Sequence, residues 1–176
     1  MENLSILSTR NFKLIACVNE KLALGKDNQL LYRIKSDLQN FKRMTTNNVV
    51  IMGRKTFESL PNGPLPNRVN IVLTTYSNYP AEGCIIAHSF QEVFQICSTK
   101  YFDKEWYVIG GASTYDMFLR EDAIYEILLT TVKDNKDGDT YLPSISIDSN
   151  IFPLYYQSDI QTDGTFSYTF SVRKRK

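Results

Sequence analysis

The chain has 176 residues, of which 43% are apolar and 22% charged, which suits one ordinary globular domain over residues 1–176 with a core of its own. Its net charge of +1 gives no argument for nucleic acid or a membrane surface as a partner, and no apolar run approaches membrane-spanning length.

The first residues, MENLSILSTR, lack a long apolar segment. Residues 1–11 therefore read as a short N-terminal extension and not as a targeting signal. The three cysteines, Cys17, Cys84 and Cys97, are odd in number and widely spaced. They form no metal-binding pattern and read as reduced thiols of a cytoplasmic protein. Phe12 to Val18 is a short apolar run bounded by Asn11 and Asn19, as expected of a strand buried on both faces in the middle of a sheet. Asn19 to Arg33 carries little period, has turn residues at Gly25 and Asp27-Asn28, and reads as a ligand-covering loop because Leu22, Leu24, Leu30, Leu31 and Tyr32 argue against disorder.

Leu30 to Met44 follows, LLYRIKSDLQNFKRM. Ile34, Leu38, Phe41 and Met44 recur at the spacing of one helix face, and Asp37 falls on or beside it. Two readings of Asp37 stand together. Ser36 and Gln39 fit a capping box, which makes Asp37 an ordinary first-turn acid. A carboxylate on an apolar stripe is otherwise paired, neutral or functional.

Val49 to Met52 is a second buried strand, running into Gly53-Arg54-Lys55-Thr56 and a helical stretch from Thr56 to Leu60. Strand, glycine and helix N-terminus together make a candidate anion site, although the full P-loop pattern is absent. A glycine required only for a tight turn fits as well. After the rigid Pro61 to Asn67 connection come Arg68, a strand from Val69 to Thr74, and the hydroxyl pair Thr74-Thr75. Cys84 to Ala87 is a short strand. His88, the only histidine, reads as a surface or capping residue. Ser89 to Glu92 is a capping box for a helix through about Ser98, with Phe90, Val93, Phe94 and Cys97 inward.

Trp106 to Ile109 is a third apolar strand. It ends at Gly110-Gly111, and a helix follows from Ala112 to Leu119. This second glycine junction lets backbone approach a ligand closely, but it is not the standard dinucleotide fingerprint. Ile124 to Val132 is a fourth strand ending in Thr130-Thr131. Gly138 to Pro143 is a turn with a short extended piece. Tyr155 to Asp159 and Phe166 to Val172 pair as antiparallel strands around Asp163-Gly164. Arg173 to Lys176 reads as a solvated basic tail.

Strands alternate with helices through two thirds of the chain, and strands alone follow. This order implies an α/β fold, a mostly parallel sheet flanked by helices with an antiparallel C-terminal edge. In such sheets ligands bind beyond the C-terminal ends of the strands, where both glycine junctions and both threonine pairs converge. One semi-buried acid, two anion-binding helix starts and an arginine after a proline-rich loop, with a single histidine, offer no nucleophilic constellation and no metal cluster. They suit a large phosphorylated cofactor beside a flat organic ligand, with the cofactor carrying the difficult chemistry.

The blocks KLIACV, LGKDNQLLY, SDLQNFKRMT, VVIMGRKTFESL, PLPNR, NIVLT, YVIGGASTYDMFL, LLTTV and GDTYLP, taken in order over residues 12–172, resemble the dihydrofolate reductase family. The resemblance implies a three-layer fold with an eight-stranded, mostly parallel central sheet and about four helices. It implies reduction of 7,8-dihydrofolate to tetrahydrofolate by NADPH in support of one-carbon and thymidylate metabolism. Hydride would go to C6 of the pterin and a solvent-derived proton to N5. Antifolates would bind the same pocket, and the family default is a monomer.

By the same resemblance, Asp37 is the active-site acid, hydrogen-bonded to pterin N3 and the 2-amino group. Thr130 bridges acid and pterin, and Tyr32 stands where many bacterial members have a tryptophan that orders a water. Ile15, Cys17, Leu30, Phe41, Leu65 and Ile109 line the substrate pocket, and Arg68 pairs with the α-carboxylate of the glutamate tail. On the cofactor side, Cys17 and the loop with Leu24, Gly25, Asn28 and Gln29 flank the nicotinamide. Gly53, Arg54, Lys55 and Thr56 hold phosphates, as do Gly110, Gly111, Ala112, Ser113, Thr114, Tyr115 and Met117. Leu73, Thr74, Thr75 and Arg54 meet the 2′-phosphate end, and His88 lies by the adenine. Ser113 replaces an arginine that some members use for the 2′-phosphate, so preference for NADPH over NADH rests on Arg54 and the two threonines. The Gly110-Gly111 bond is expected to be cis, and the helix that carries Asp37 is expected to begin one or two residues before Ser36. Two other readings are a riboflavin-pathway pyrimidine reductase, against which Asp37 and Arg68 together argue, and a non-catalytic nucleotide-binding module.

Overall fold

A computed structural model describes residues 11–176, so the N-terminal extension lies, apart from Asn11, outside the described residues. The strand expected to be central is central. β1 (Phe12–Asn19) sits fourth in the order β10-β12-β8-β1-β7-β4-β5-β6. Its neighbours β7 (Trp106–Gly110) and β8 (Ile124–Val132) are parallel to it, and β4 (Val49–Gly53), β5 (Val69–Leu73) and β6 (Ile85–Ala87) continue the parallel half. β10 (Leu154–Gln157) and β12 (Ser167–Lys174) form the antiparallel edge. The two-residue β11 (Gln161–Thr162) pairs with β12 off this path.

Strand alternation splits the core in two. Val49 and Ile51 of β4 join Leu14 and Val18 of β1 under α3 (Phe90–Lys100) and α4 (Ala112–Arg120). Val50 and Met52 join Ile15 on the other face, under α1 (Lys35–Thr45) and α2 (Arg54–Glu58). The first face is aromatic at its centre: the Phe12 ring lies 4.9 Å from Phe118 and 5.1 Å from Trp106. Ser89 caps α3 as expected, accepting a hydrogen bond from the Glu92 N–H, while Glu92 reaches back to the His88 N–H.

Several boundaries differ from expectation. α1 starts at Lys35, one residue before Ser36 as the resemblance implies, with Ile34 as its N-cap residue, so the Ser36 capping box is not formed. Ile34 is fully buried and fixes the entry of the chain, which leaves the Ser36 hydroxyl to bond Tyr168 of β12. α2 begins directly after Gly53 at Arg54, not at Thr56. The loop after β1 holds a hairpin, β2 (Ala23–Lys26) and β3 (Gln29–Leu30). Asp27 and Asn28, at φ of 51° and 61°, make its two-residue turn. β2 pairs in turn with β9 (Thr140–Tyr141). The basic tail is not solvated: Arg173 donates to the Ile147 and Phe152 carbonyls, and Arg175 pairs with Asp122 at 2.6 Å. These contacts dock the last strand on the far edge of the sheet.

Candidate active site

The site forms where the parallel sheet parts. β1 pairs with β7 only from Phe12 to Leu14, and beyond Leu14 the two strands diverge. The carbonyl of Ile15 then accepts instead from the hydroxyl of Tyr115, which reaches in from α4 at 2.7 Å. The first turn of α1, with Asp37, lies over the neighbouring pair β1 and β8.

Asp37 is half-buried, and Thr130 Oγ1 donates to its Oδ1. Thr130 pairs in register with Cys17 across β8 and β1, so both side chains face α1. Burial pushes the Asp37 carboxyl up from the ordinary carboxylate range, and hydrogen bonds from Thr130 and the Cys17 thiol oppose that rise. Burial and the neighbouring Asp37 push the Cys17 thiol up in turn, which keeps it protonated and a donor. The capping reading of Asp37 therefore fails: its carboxylate is turned to the sheet, not to the helix end.

The expected substrate walls come together. Ile15, Phe41, Leu65 and Ile109 belong to one apolar cluster beside Asp37. Leu38 and Leu30 stay exposed at 41% and 51% and are not packed in this cluster. Arg68 closes the far end, over the Phe41 ring at 6.0 Å, with one nitrogen donating to Thr45 Oγ1 at 3.1 Å and another to the Pro66 carbonyl at 2.9 Å. Among the described residues no carboxylate pairs with it, and partial burial lowers its basicity slightly. A second cleft of about 390 Å³ opens on the opposite side of α1, lined by Ser36, Asn40, Arg43 and Ser158 among others, and also reaches Asp37 and Thr130. A larger cavity of about 610 Å³ lies among Lys13, Lys104, Glu105 and Trp106, at the N-terminal ends of the strands, and contains none of the expected site residues.

The two glycine junctions abut. A Cβ on Gly53 would stand 2.8 Å from Thr114 Oγ1 and 3.9 Å from the Gly110 carbonyl, and one on Gly111 would stand 3.3 Å from Thr56 Oγ1. Gly110 has φ of +133°, which only glycine adopts readily, and the Gly110-Gly111 bond is cis as expected. Gly53 and Gly111 are the N-cap residues of α2 and α4, and neither supplies a side-chain cap. Two helix starts therefore present uncapped N–H groups to one backbone-lined hollow, with Ala112, Lys55 and the exposed Ser113 and Met117 at its margin. Thr74 and the exposed Thr75 follow β5, and His88 is fixed near them by a 2.8 Å contact of Nδ1 with the Thr74 carbonyl. Arg54 lies over the Tyr76 ring at 4.7 Å and holds both oxygens of Glu58 at 2.9 Å. Such an exposed pair is weak and screened by solvent, so a phosphate can displace or share it.

Three expectations need correction in detail. Tyr32 does not stand beside Asp37. Its hydroxyl donates to Asp134 Oδ2 at 2.6 Å and accepts from Asn19 Nδ2 at 3.0 Å, so it has no free proton for a pterin-bound water. Burial and Asp134 push its phenol up to about 12. Leu24, expected to flank the nicotinamide, turns its side chain into the core on the α3 and α4 side of the sheet. Tyr115 is buried, acting as a floor to the hollow through Ile15. Asn19, Asp134 and Tyr168, which organise the site, escape sequence reasoning. Their partners are as distant as 102 residues for Tyr32 and Asp134 and 132 for Ser36 and Tyr168, and no local period reports such contacts.

Comparison with known proteins agrees with this geometry. The family model described as dihydrofolate reductase matches residues 11–176. A dihydrofolate reductase of Bacillus subtilis (strain 168) is 35% identical over 154 residues, covering 87% of this chain and 88% of the relative. One from Staphylococcus haemolyticus is 34% identical, covering 77% and 78%. Among solved structures, a dihydrofolate reductase from Enterococcus faecalis complexed with NADP(H) and RAB-propyl superposes with a TM-score of 0.83 at 28% identity. That match covers 96% of this chain and 98% of the other. The chain therefore belongs to the dihydrofolate reductase family.

Proposed function

We propose that the cleft beneath α1 carries out the NADPH-dependent reduction of 7,8-dihydrofolate that membership of this family assigns, with Asp37, Thr130 and Arg68 as its principal substrate-binding residues. The observation that carries this reading is Asp37 itself: a half-buried carboxylate that accepts from Thr130 of β8, beside Cys17 of β1.

Asp37 accepts hydrogen bonds from N3 and the 2-amino group of the pterin while Thr130 holds the carboxylate in plane. Negative charge there raises the basicity of the ring, so N5 takes a proton from solvent more readily. The cleft beside Asn40 and Arg43 supports this, because it leaves solvent a way to Asp37 that a pterin on the Phe41 side does not close. Ile15, Phe41, Leu65 and Ile109 hold the flat rings by apolar contact. Arg68 meets the glutamate α-carboxylate with its planar fork.

The junction of Gly53 with Gly110-Gly111 fits a dinucleotide pyrophosphate, since glycine lets backbone approach closely there and the two helix starts carry no side-chain cap. NADPH bound there supplies the hydride for C6. Thr56, Ala112, Ser113 and Thr114 border its phosphates, and Arg54, Thr74 and Thr75 meet the 2′-phosphate. The hairpin from Ala23 to Leu30, with Gly25, Asn28 and Gln29, covers the nicotinamide end. A monomer in a reducing cytoplasm completes the reading, supported by the three free cysteines. The test follows loss of reduced-nicotinamide absorbance on adding dihydrofolate, repeated with NADH and with methotrexate. Rapid oxidation of NADPH, slower oxidation of NADH and inhibition by methotrexate are expected. NADPH binding without turnover would instead indicate a nucleotide-binding module.

A further inference from the structure

We propose that Tyr32 is a positioning residue, which with Asn19 and Asp134 clasps both feet of the β2–β3 hairpin and so sets how long the cofactor is retained. The inference rests on the reading that this hairpin covers the nicotinamide end.

Asn19 ends β1 and is fully buried. Its amide uses every bond available to it. Nδ2 donates to Tyr32 Oη at 3.0 Å and to the Lys136 carbonyl at 2.7 Å, while Oδ1 accepts from the N–H groups of Lys21 and Ala23, both at 3.0 Å. Lys21 and Ala23 are the entry foot of the hairpin, and Tyr32 is its exit foot. The Tyr32 hydroxyl then passes to Asp134 at 2.6 Å, and its ring packs edge-on to Phe166 at 5.1 Å. One buried amide and one phenol therefore tie both feet to the segment that follows β8.

The tip of the hairpin is held separately. The Asp139 N–H donates to the Gly25 carbonyl at 2.9 Å, and the Asp27 N–H donates to Asp139 Oδ2 at 2.8 Å. Strands of two and four residues are too short to hold a shape by themselves, so the feet decide where the hairpin stands. The bond from phenol to carboxylate is the strongest single link, because its acceptor is charged. Cys17 packs in the same cluster as Tyr32, which leaves open a rival route from Tyr32 to Asp37 through Cys17, and the test separates the two.

The experiment compares Tyr32→Phe, Asp134→Ala and the double variant with the parent. NADPH release is measured by stopped-flow competition, together with KM for dihydrofolate, the pH profile of kcat/KM, and thermal stability. Asp134→Ala removes a loop carboxylate outside the buried core, so its variant folds even if Tyr32→Phe proves fragile. Each single variant should release NADPH about tenfold faster, the loss typical of one hydrogen bond to a charged group. The double variant should match Tyr32→Phe, since Asp134 acts through the hydroxyl that this variant already lacks. KM for dihydrofolate and the apparent pKa of the profile should hold. Release within twofold of the parent with only a lower Tm would overturn the proposal, as would a displaced pH profile or effects that multiply. A parent protein that neither binds NADPH nor reduces dihydrofolate would overturn the underlying reading, an outcome distinct from all of these.

Discussion

Asp37→Asn removes one charge and little else. The amide oxygen still accepts from Thr130, and the side chain keeps its length on the first turn of α1. A carboxylate about 4 Å from a positively charged pteridine is worth about 4 kcal/mol at an effective dielectric of ~20. Asp37 is only half-buried and the second cleft admits solvent, so the working value is smaller, about 3 kcal/mol, or roughly two decades in rate. Turnover near neutral pH should therefore fall about a hundredfold. It should recover roughly tenfold per pH unit on acidification, because the substrate then protonates itself. The assay is kcat/KM for dihydrofolate across the acidic and neutral range, with Tm measured on the same samples. The stability readout has a definite sign. Burial raises the folded-state pKa of Asp37 above its unfolded value. Its favourable contribution is then complete below the ordinary carboxylate range and disappears as pH rises through the folded value. At neutral pH the charge costs stability, so the variant should melt no lower than the parent. Turnover within threefold of the parent, or a loss that tracks a falling Tm, would refute the reasoning.

Arg68→Leu should raise KM for dihydrofolate about 10- to 100-fold, the usual worth of a hydrogen-bonded ion pair, and leave a dihydropterin without a glutamate tail unaffected. Equal losses for both substrates would mean that Arg68 acts only through Thr45 and Pro66. Gly53→Ala drives a methyl to 2.8 Å from Thr114 Oγ1, so it should cost about 1–3 kcal/mol of stability and raise KM for NADPH. Adding Thr114→Ala should return part of the stability in a denaturant titration, and strict additivity of the two changes would count against a clash. Methotrexate at ~1000 times its Kd should stabilise the protein by about 4 kcal/mol. That corresponds to a Tm rise of roughly 8–16 °C in a domain of this size, and no rise would show that the cleft does not take a folate-like ring.

The strands were the most legible part of the fold. β8 runs over Ile124–Val132 as its apolar run indicates, and β1, β4, β5 and β7 differ from expectation by a residue at one end. Each is apolar on both faces and bounded by turn residues, a signal carried within the segment itself. The Ser89 capping box was legible for the same reason. The Ser36 box was not, because a fully buried Ile34 two residues earlier overrides a local capping preference. The hairpin of β2 and β3 was hidden because its strands are too short to show a period, although Asp27-Asn28 marked the turn. Most residues that touch the cleft were named by resemblance, and those that hold them in place were not. Nothing around Asn19 or Asp134 in the sequence says that they meet at Tyr32.

The peculiarity of α1 resolves in the same terms. Its stripe of Ile34, Leu38, Phe41 and Met44 has the period of a buried face, yet only Ile34 is fully buried, and Leu38 is 41% exposed. A stripe that packed fully on the sheet would have left Asp37 without solvent and its charge unsustainable. A stripe that faced solvent throughout would have given no reason for apolar residues. The cleft beside α1 satisfies both demands, since Asp37 turns to Thr130 on the paired strands β8 and β1 while Leu38 stays uncovered and Ile15 and Ile109 remain as apolar walls. The acid and the unburied stripe are then a single feature, the two sides of the cleft proposed to take a flat ring with polar atoms on one edge. Stability given up by leaving Leu38 and Asp37 uncovered is recovered when such a ring binds, which is why the same residues are poor core and good site.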